Sequence, residues 1–145
     1  SMNVAKTLAW SLTPEALRNK MTKEFSKNHT GIHIHCPEGA VPKDGPSAGG
    51  AITVALYSLL NQSEVRNDVA MTGEISLQGK ITAIGGLDLK IVGGIRAGVT
   101  TFIYPAENDR EFDEFMEKYK GNEMLNGITF HAVSTIHDVF KIVLK

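Results

Sequence analysis

Two groups in this chain could form an acyl-transfer couple: a serine held by a rigid loop, and a lysine on an apolar helix far along the sequence. Pro42-Lys43-Asp44-Gly45-Pro46-Ser47-Ala48-Gly49-Gly50 is dense in proline and glycine and delivers Ser47 to the predicted first turn of a helix. The amides of a first helical turn lack intrahelical acceptors, and the positive helix end favours negative charge, so a hydroxyl there stands beside a ready holder of an oxyanion. Gly49 and Gly50 would leave room for a substrate backbone to approach. The plainer alternative is a serine that merely begins a helix, a common placement for local hydrogen-bonding reasons.

A serine hydroxyl is a weak nucleophile until a base removes its proton. The histidines stand at 29, 33, 35, 131 and 137, and no Asp or Glu marks itself as the third member of a Ser-His-Asp triad. His33 and His35 share one side of a predicted strand that enters the loop, so a histidine base stays open. Lys90 is the other candidate, one turn into the helix that follows Gly85-Gly86 and beside Leu87, Leu89 and Ile91. A lysine partly buried near a positive helix end is neutral often enough to act as a base, although most helical lysines are simply solvated. His33 and His35 with Glu74 could instead begin a metal site for a hydrolase, but Cys36 points to the opposite face and nothing else completes the set. A structural role for the two histidines is the simpler reading.

The elements that position these groups follow from patterning. Residues 3 to 28 carry helical spacing interrupted at Thr13-Pro14-Glu15, where a helix restarts or kinks. Gly31 to Cys36 alternates with period two and predicts a strand. From Ser47 to about Asn61 apolar residues recur every three or four positions, with Asp44 as the cap and Pro46 at the first helical position. Asp68 to Thr72 and Lys80 to Ala83 read as short strands flanking a Gly73 to Gly79 turn, and Leu87 to Ala97 as a helix stopped by Gly98. Thr101 to Tyr104 is a strand, Asp109 to Tyr119 a charged amphipathic helix, and Thr129 to Val133 a strand. A final helix starts near Ser134 or Thr135 and buries Ile136, Val139, Phe140 and Val143. Such alternation predicts a mixed α/β architecture with some parallel pairing, and no linker or repeat divides it.

Composition narrows the functional classes. At 145 residues the chain fits one domain, able to bury roughly two thirds of its unfolded surface. A formal charge of −1 without a basic block argues against nucleic acid as partner. No run approaches the ~18 apolar residues of a membrane span, so no membrane partner is expected. The single Cys36 makes no internal disulfide, which suits a reducing compartment. Ser1 ahead of Met2 reads as a remnant of tag cleavage.

Three segments, Pro-Lys-Asp-Gly-Pro-Ser-Ala-Gly at 42 to 49, Met-Thr-Gly-Glu-Ile-Ser-Leu at 71 to 77 and Ile-Gly-Gly-Leu-Asp-Leu-Lys at 84 to 90, together resemble the proteolytic domain of Lon proteases of the A type. The likeness runs from about His33 to about Asp109 at matching intervals, and more weakly to the carboxyl end, so residues 1 to 145 read as one Lon-like proteolytic domain. The resemblance implies a fold similar to a ribosomal-protein second domain, here lacking its first β-hairpin. It implies a serine endopeptidase with Ser47 as nucleophile, Lys90 as general base and Thr72 orienting the lysine. Asp44, Gly45 and Pro46 would shape the loop, with the Ser47 amide an oxyanion donor and His33, His35 and Glu74 in support. Acyl transfer of this kind uses no cofactor in this domain. ATP and magnesium belong to an ATPase module of the family's longer chain, which is a homo-hexamer acting on unfolded protein or peptide substrates in the cytoplasm or mitochondrial matrix.

Two features depart from the family pattern. Asp88-Leu89-Lys90 stands where the family often has Lys-Glu-Lys, leaving one lysine to choose and a carboxylate beside it. The substrate-binding and ATPase regions have no counterpart here: Gly73 to Lys80 has five residues between its glycines where a phosphate loop has four, and Ile81 where Ser or Thr would bind magnesium. Besides the metal hydrolase, the remaining alternative is an assembly module of the same fold without chemistry. Keeping Ser47, Thr72 and Lys90 together argues against it.

Overall fold

The computed structural model describes residues 2–28, 31–35 and 45–145. In chain order the elements are α1 (Met2–Leu12), α2 (Glu15–Asn28), α3 (Gly49–Asn61), β1 (Val69–Met71), β2 (Glu74–Ile75), β3 (Ile81–Thr82), α4 (Leu87–Arg96), β4 (Thr101–Pro105), α5 (Asp109–Lys118), β5 (Thr129–Val133) and α6 (Ile136–Val143). The architecture is mixed α/β around a parallel sheet of order β1-β4-β5.

Pro14 has no amide hydrogen to extend a helix, and α1 ends just before it. The Thr13 side chain bonds to α1 and α3 and not to the first turn of α2. It is buried, its hydroxyl donates to the Ala9 carbonyl at 2.9 Å, and Asn61 Nδ2 donates to that hydroxyl at 3.1 Å, so Thr13 closes α1 and ties it to α3. Ala5 and Ala9, fully buried and small, let α1 lie close to Leu56 and Leu60 of α3. Gly31 to His35 forms no strand. Its alternation survives, because Ile32 and Ile34 are half-buried against the α1, α2 and α3 cluster while His33 and His35 are exposed. A period-two pattern sorts side chains between two surfaces; a ladder also needs an open edge, and these isoleucines pack on helices.

Every residue of the central strand β4 is buried, as its continuous apolar run requires of a strand covered on both faces. One face packs with α3 and α6 through Val54, Ile103, Val133, Val139 and Val143; the other packs with α4 and α5 through Leu87, Ile91, Phe102 and Phe115. The two short strands read on either side of the Gly73 to Gly79 turn do not pair with each other. β1 joins β4 in parallel register, Ala70 opposite Phe102, while the hairpin is β2 with β3, Ile75 opposite Ile81. Gly73 separates the two sheets: a Cβ there would lie 2.6 Å from Ile81 Cγ2, so only glycine lets the chain turn this tightly over β3.

Candidate active site

The serine-bearing loop meets α3 in a tight turn. Gly49 N–H donates to the Pro46 carbonyl at 3.0 Å, and the helix begins at Gly49 with Ala48 as a cap that has no side-chain hydrogen bond. Ser47 therefore sits just ahead of the helix and not in its first turn, because Pro46 starts the turn and the first helical position falls on the glycine pair. Among the described residues the Ser47 and Ala48 amides have no backbone acceptor. Asp44, read as a cap and loop-shaping residue, lies outside the described residues, as do Pro42, Lys43 and Cys36. Gly45 and Pro46 are exposed at the entry to the turn, and Gly45, at φ +121°, holds a conformation that suits glycine.

Hydrogen bonds sew this turn to the end of β1. Gly73 N–H donates to the Ser47 carbonyl at 2.9 Å, and Gly50 N–H donates to the Gly73 carbonyl at 3.0 Å. Such close contact is possible because Gly49 and Gly50 are buried: a Cβ on Gly49 would lie 2.7 Å from Ile75 Cγ2, and one on Gly50 would lie 2.7 Å from Met71 Cε. The paired glycines thus admit the protein's own β1 and β2 side chains, not the substrate backbone for which their sequence position suggested room.

Thr72 directly follows β1, and its amide continues the ladder by donating to the Ile103 carbonyl at 3.1 Å. Its buried hydroxyl bridges two elements at the outer edge of hydrogen bonding, donating to the Ser47 carbonyl at 3.5 Å and accepting from Lys90 Nζ at 3.5 Å. Lys90 is half-buried on α4, whose Leu87 and Ile91 anchor the helix to the sheet; Leu89, read as part of the lysine's apolar surroundings, instead projects outward at 75% exposure. Asp88 does not turn toward the amine. Two residues before Lys90 on a helix, it faces elsewhere and lines a separate recess with Glu111, Glu114 and Lys118 of α5.

Ser47, Thr72 and Lys90 line one open recess of about 280 Å³, whose walls are Ala48, Ala51, Ala70, Met71, Gly94 and Phe102. The wall residues were not singled out in the sequence. Gly94 had a usable signal, standing four residues beyond Lys90 on α4 and so sharing its face. Phe102 had none, since it arrives through the parallel pairing of β4 with β1. Glu74 is half-buried opposite Thr82, and His33 and His35 are exposed on Gly31 to His35; none of the three lines this recess. Among the described residues no three His, Cys, Asp or Glu side chains gather as metal ligands.

A family model described as the Lon protease (S16) C-terminal proteolytic domain matches residues 1–145. The chain belongs to that family. It is 51% identical over 116 residues to the Lon protease of Chloroflexus aggregans, an alignment covering 80% of this chain and 14% of the relative. It is 42% identical over 131 residues to the Lon protease of Buchnera aphidicola, covering 90% of this chain and 16% of the relative. The Lon protease homolog, mitochondrial, of Drosophila melanogaster is 41% identical over 142 residues, covering 98% of this chain and 13% of that protein. The chain thus spans a small fraction of the length of these Lon relatives. Among the described residues no helix is long and apolar enough to cross a membrane.

Proposed function

We propose that this chain is the peptidase part of an ATP-dependent Lon protease, in which Ser47 and Lys90 form a catalytic dyad that hydrolyses peptide bonds. The observation that carries the reading is the convergence of Ser47, Thr72 and Lys90, from three different elements, on one open recess. An alcohol, an amine and a hydroxyl between them are the parts that acyl transfer needs, and membership of the Lon proteolytic family supports the same reaction class.

In this reading the Lys90 amine takes the Ser47 proton as Ser47 Oγ attacks the carbonyl carbon of a peptide bond. The developing oxyanion lies against the Ser47 and Ala48 amides ahead of α3. The leaving amine collects the proton from Lys90, and an ester remains on Ser47. Lys90 then takes a proton from water, hydroxide adds to the ester, and the departing Ser47 Oγ recovers the proton. Thr72 positions the lysine throughout. This domain needs no cofactor for these steps; ATP and magnesium serve an ATPase module in the remainder of a longer, hexameric chain, and the substrates are unfolded proteins or peptides.

The test is hydrolysis of a fluorogenic peptide by the full-length protein carrying Ser47→Ala or Lys90→Gln. Each should lower kcat by about a thousandfold or more. Thermal stability should change by less than about 0.5 kcal/mol, because neither side chain is fully buried. Unchanged turnover in Lys90→Gln would remove the lysine from the mechanism.

A further inference from the structure

The Ser47 turn rests on three glycines, and two isoleucines of the β2–β3 hairpin press on them. Ile75 Cγ2 occupies the space where a Gly49 Cβ would stand, at 2.7 Å from its position. Ile81 does the same at Gly73 through Cγ2, at 2.6 Å, and touches the Gly50 position through Cδ1, at 3.3 Å. Those glycines are the ones tied to the nucleophile: Gly49 closes the turn on Pro46, Gly73 donates to the Ser47 carbonyl, and Gly50 donates to Gly73. The hairpin is held from behind, since Ile81 N–H donates to the Ser134 carbonyl at 2.9 Å and Ile136 N–H to the Gly79 carbonyl at 2.8 Å.

We propose that Ile75 and Ile81 are positioning residues for Ser47, acting through the glycine floor of its turn, and that the β2–β3 hairpin exists in this site to present them. The inference rests on Ser47 being the nucleophile. Neither isoleucine lines the recess, so neither touches substrate there. Their effect is on where the serine stands relative to Lys90, which α4 carries. Ordinary core packing would make the same residues matter for stability alone, so the two roles separate in kinetics. Val139 is the control, being fully buried in the same apolar cluster and not among the nearest neighbours of any of the three glycine positions.

The experiment compares full-length variants by peptide turnover, by the rate at which a fluorophosphonate phosphonylates the Ser47 hydroxyl with loss of fluoride, and by thermal midpoint. Ile75→Ala is expected to lower kcat and the phosphonylation rate about tenfold or more with KM unchanged. Ile75→Val keeps Cγ2 and should keep turnover. Gly49→Ala favours the helix by propensity, yet should slow turnover, because its new methyl meets Ile75 Cγ2; Gly49→Ala with Ile75→Ala, which exchanges the two groups, should recover most of the loss. Val139→Ala should lower the midpoint and leave kcat of the folded enzyme unchanged. Equal kcat in Ile75→Ala and Val139→Ala at equal folded fraction overturns the proposal, as does a double variant no faster than its slower parent. Full turnover in Ser47→Ala removes the nucleophile assignment itself, a separate failure.

Discussion

Thr72 stands where three constraints meet: a ladder amide bound to Ile103, a hydroxyl reaching toward the Ser47 carbonyl, and that same hydroxyl accepting from Lys90. A flexible lysine stem has four carbons to place, and a single oriented acceptor near its amine reduces the arrangements open to it. Thr72→Val keeps the shape of a buried side chain and deletes the acceptor. In the full-length protein it should lower kcat about tenfold with KM nearly unchanged, whereas Thr72→Ser should retain most activity. Equal kcat values for the valine and serine variants would show that the hydroxyl positions nothing. At this scale the sequence was informative where the chemistry is local. Ser47, Thr72 and Lys90 were legible from three short motifs, and they do line one recess. The exact seat of Ser47 was not, because a proline-initiated turn and a helix start share the same residue types; nor was the function of Gly49 and Gly50, whose neighbours Ile75 and Met71 are brought to them by tertiary contact.

At the scale of elements, helices were read within a few residues and strands were located better than they were paired. β5 and α6 fall where alternation and capping put them, since both signals are written in consecutive residues. The partner of β1 was missed because its parallel pairing with β4 sets Val69 opposite Thr101 through a crossover, a relation absent from any local pattern. Gly31 to Cys36 failed for the opposite reason: its pattern was correct, and its isoleucines found helices to pack on. α6 gives the clearest energetic test. The Thr135 hydroxyl accepts from Asp138 N–H at 3.2 Å, and the Asp138 carboxylate accepts from the Ser134 and Thr135 amides at 3.2 and 3.1 Å. Thr135→Ala should cost about 1 kcal/mol of unfolding free energy. Those two amides hold the Asp138 carboxyl below the usual carboxylate range, with Ser134 the larger cause. Its contribution is therefore present above the unfolded value of about 4 and is lost as pH falls through the lower folded value. Melting curves of the parent and Asp138→Asn should differ at neutral pH and converge in acid; a constant gap would mean that the carboxylate's charge is not what stabilises the cap.

Across the whole molecule, the dyad reading separates chemistry from substrate delivery. The recess is open and about 280 Å³, enough for a few side chains of an extended peptide and far too small for a folded domain. On the dyad reading, a scissile bond reaches Ser47 only on a chain that is already extended. The segment from Gly73 to Lys80, the nearest approach to a phosphate loop, leads into Ile81, which is 1% exposed and packed against the Gly50 and Gly73 positions in the β2–β3 hairpin. Residues 1 to 145, tested alone, should therefore cleave a short fluorogenic peptide at a rate indifferent to ATP and magnesium, and should leave a stably folded protein intact over the same period. Unfolding that protein with a destabilising substitution, or supplying it as a reduced and denatured chain, should make it a substrate. ATP-stimulated degradation of the folded form should appear only with the full-length protein. The measurement is peptide fluorescence alongside gel analysis of the two protein substrates, each with and without ATP and magnesium. Stimulation of the isolated 145-residue chain by ATP would place nucleotide binding within this fold and contradict the division of labour, whereas cleavage of the folded substrate without ATP would show that the recess admits more than an extended peptide.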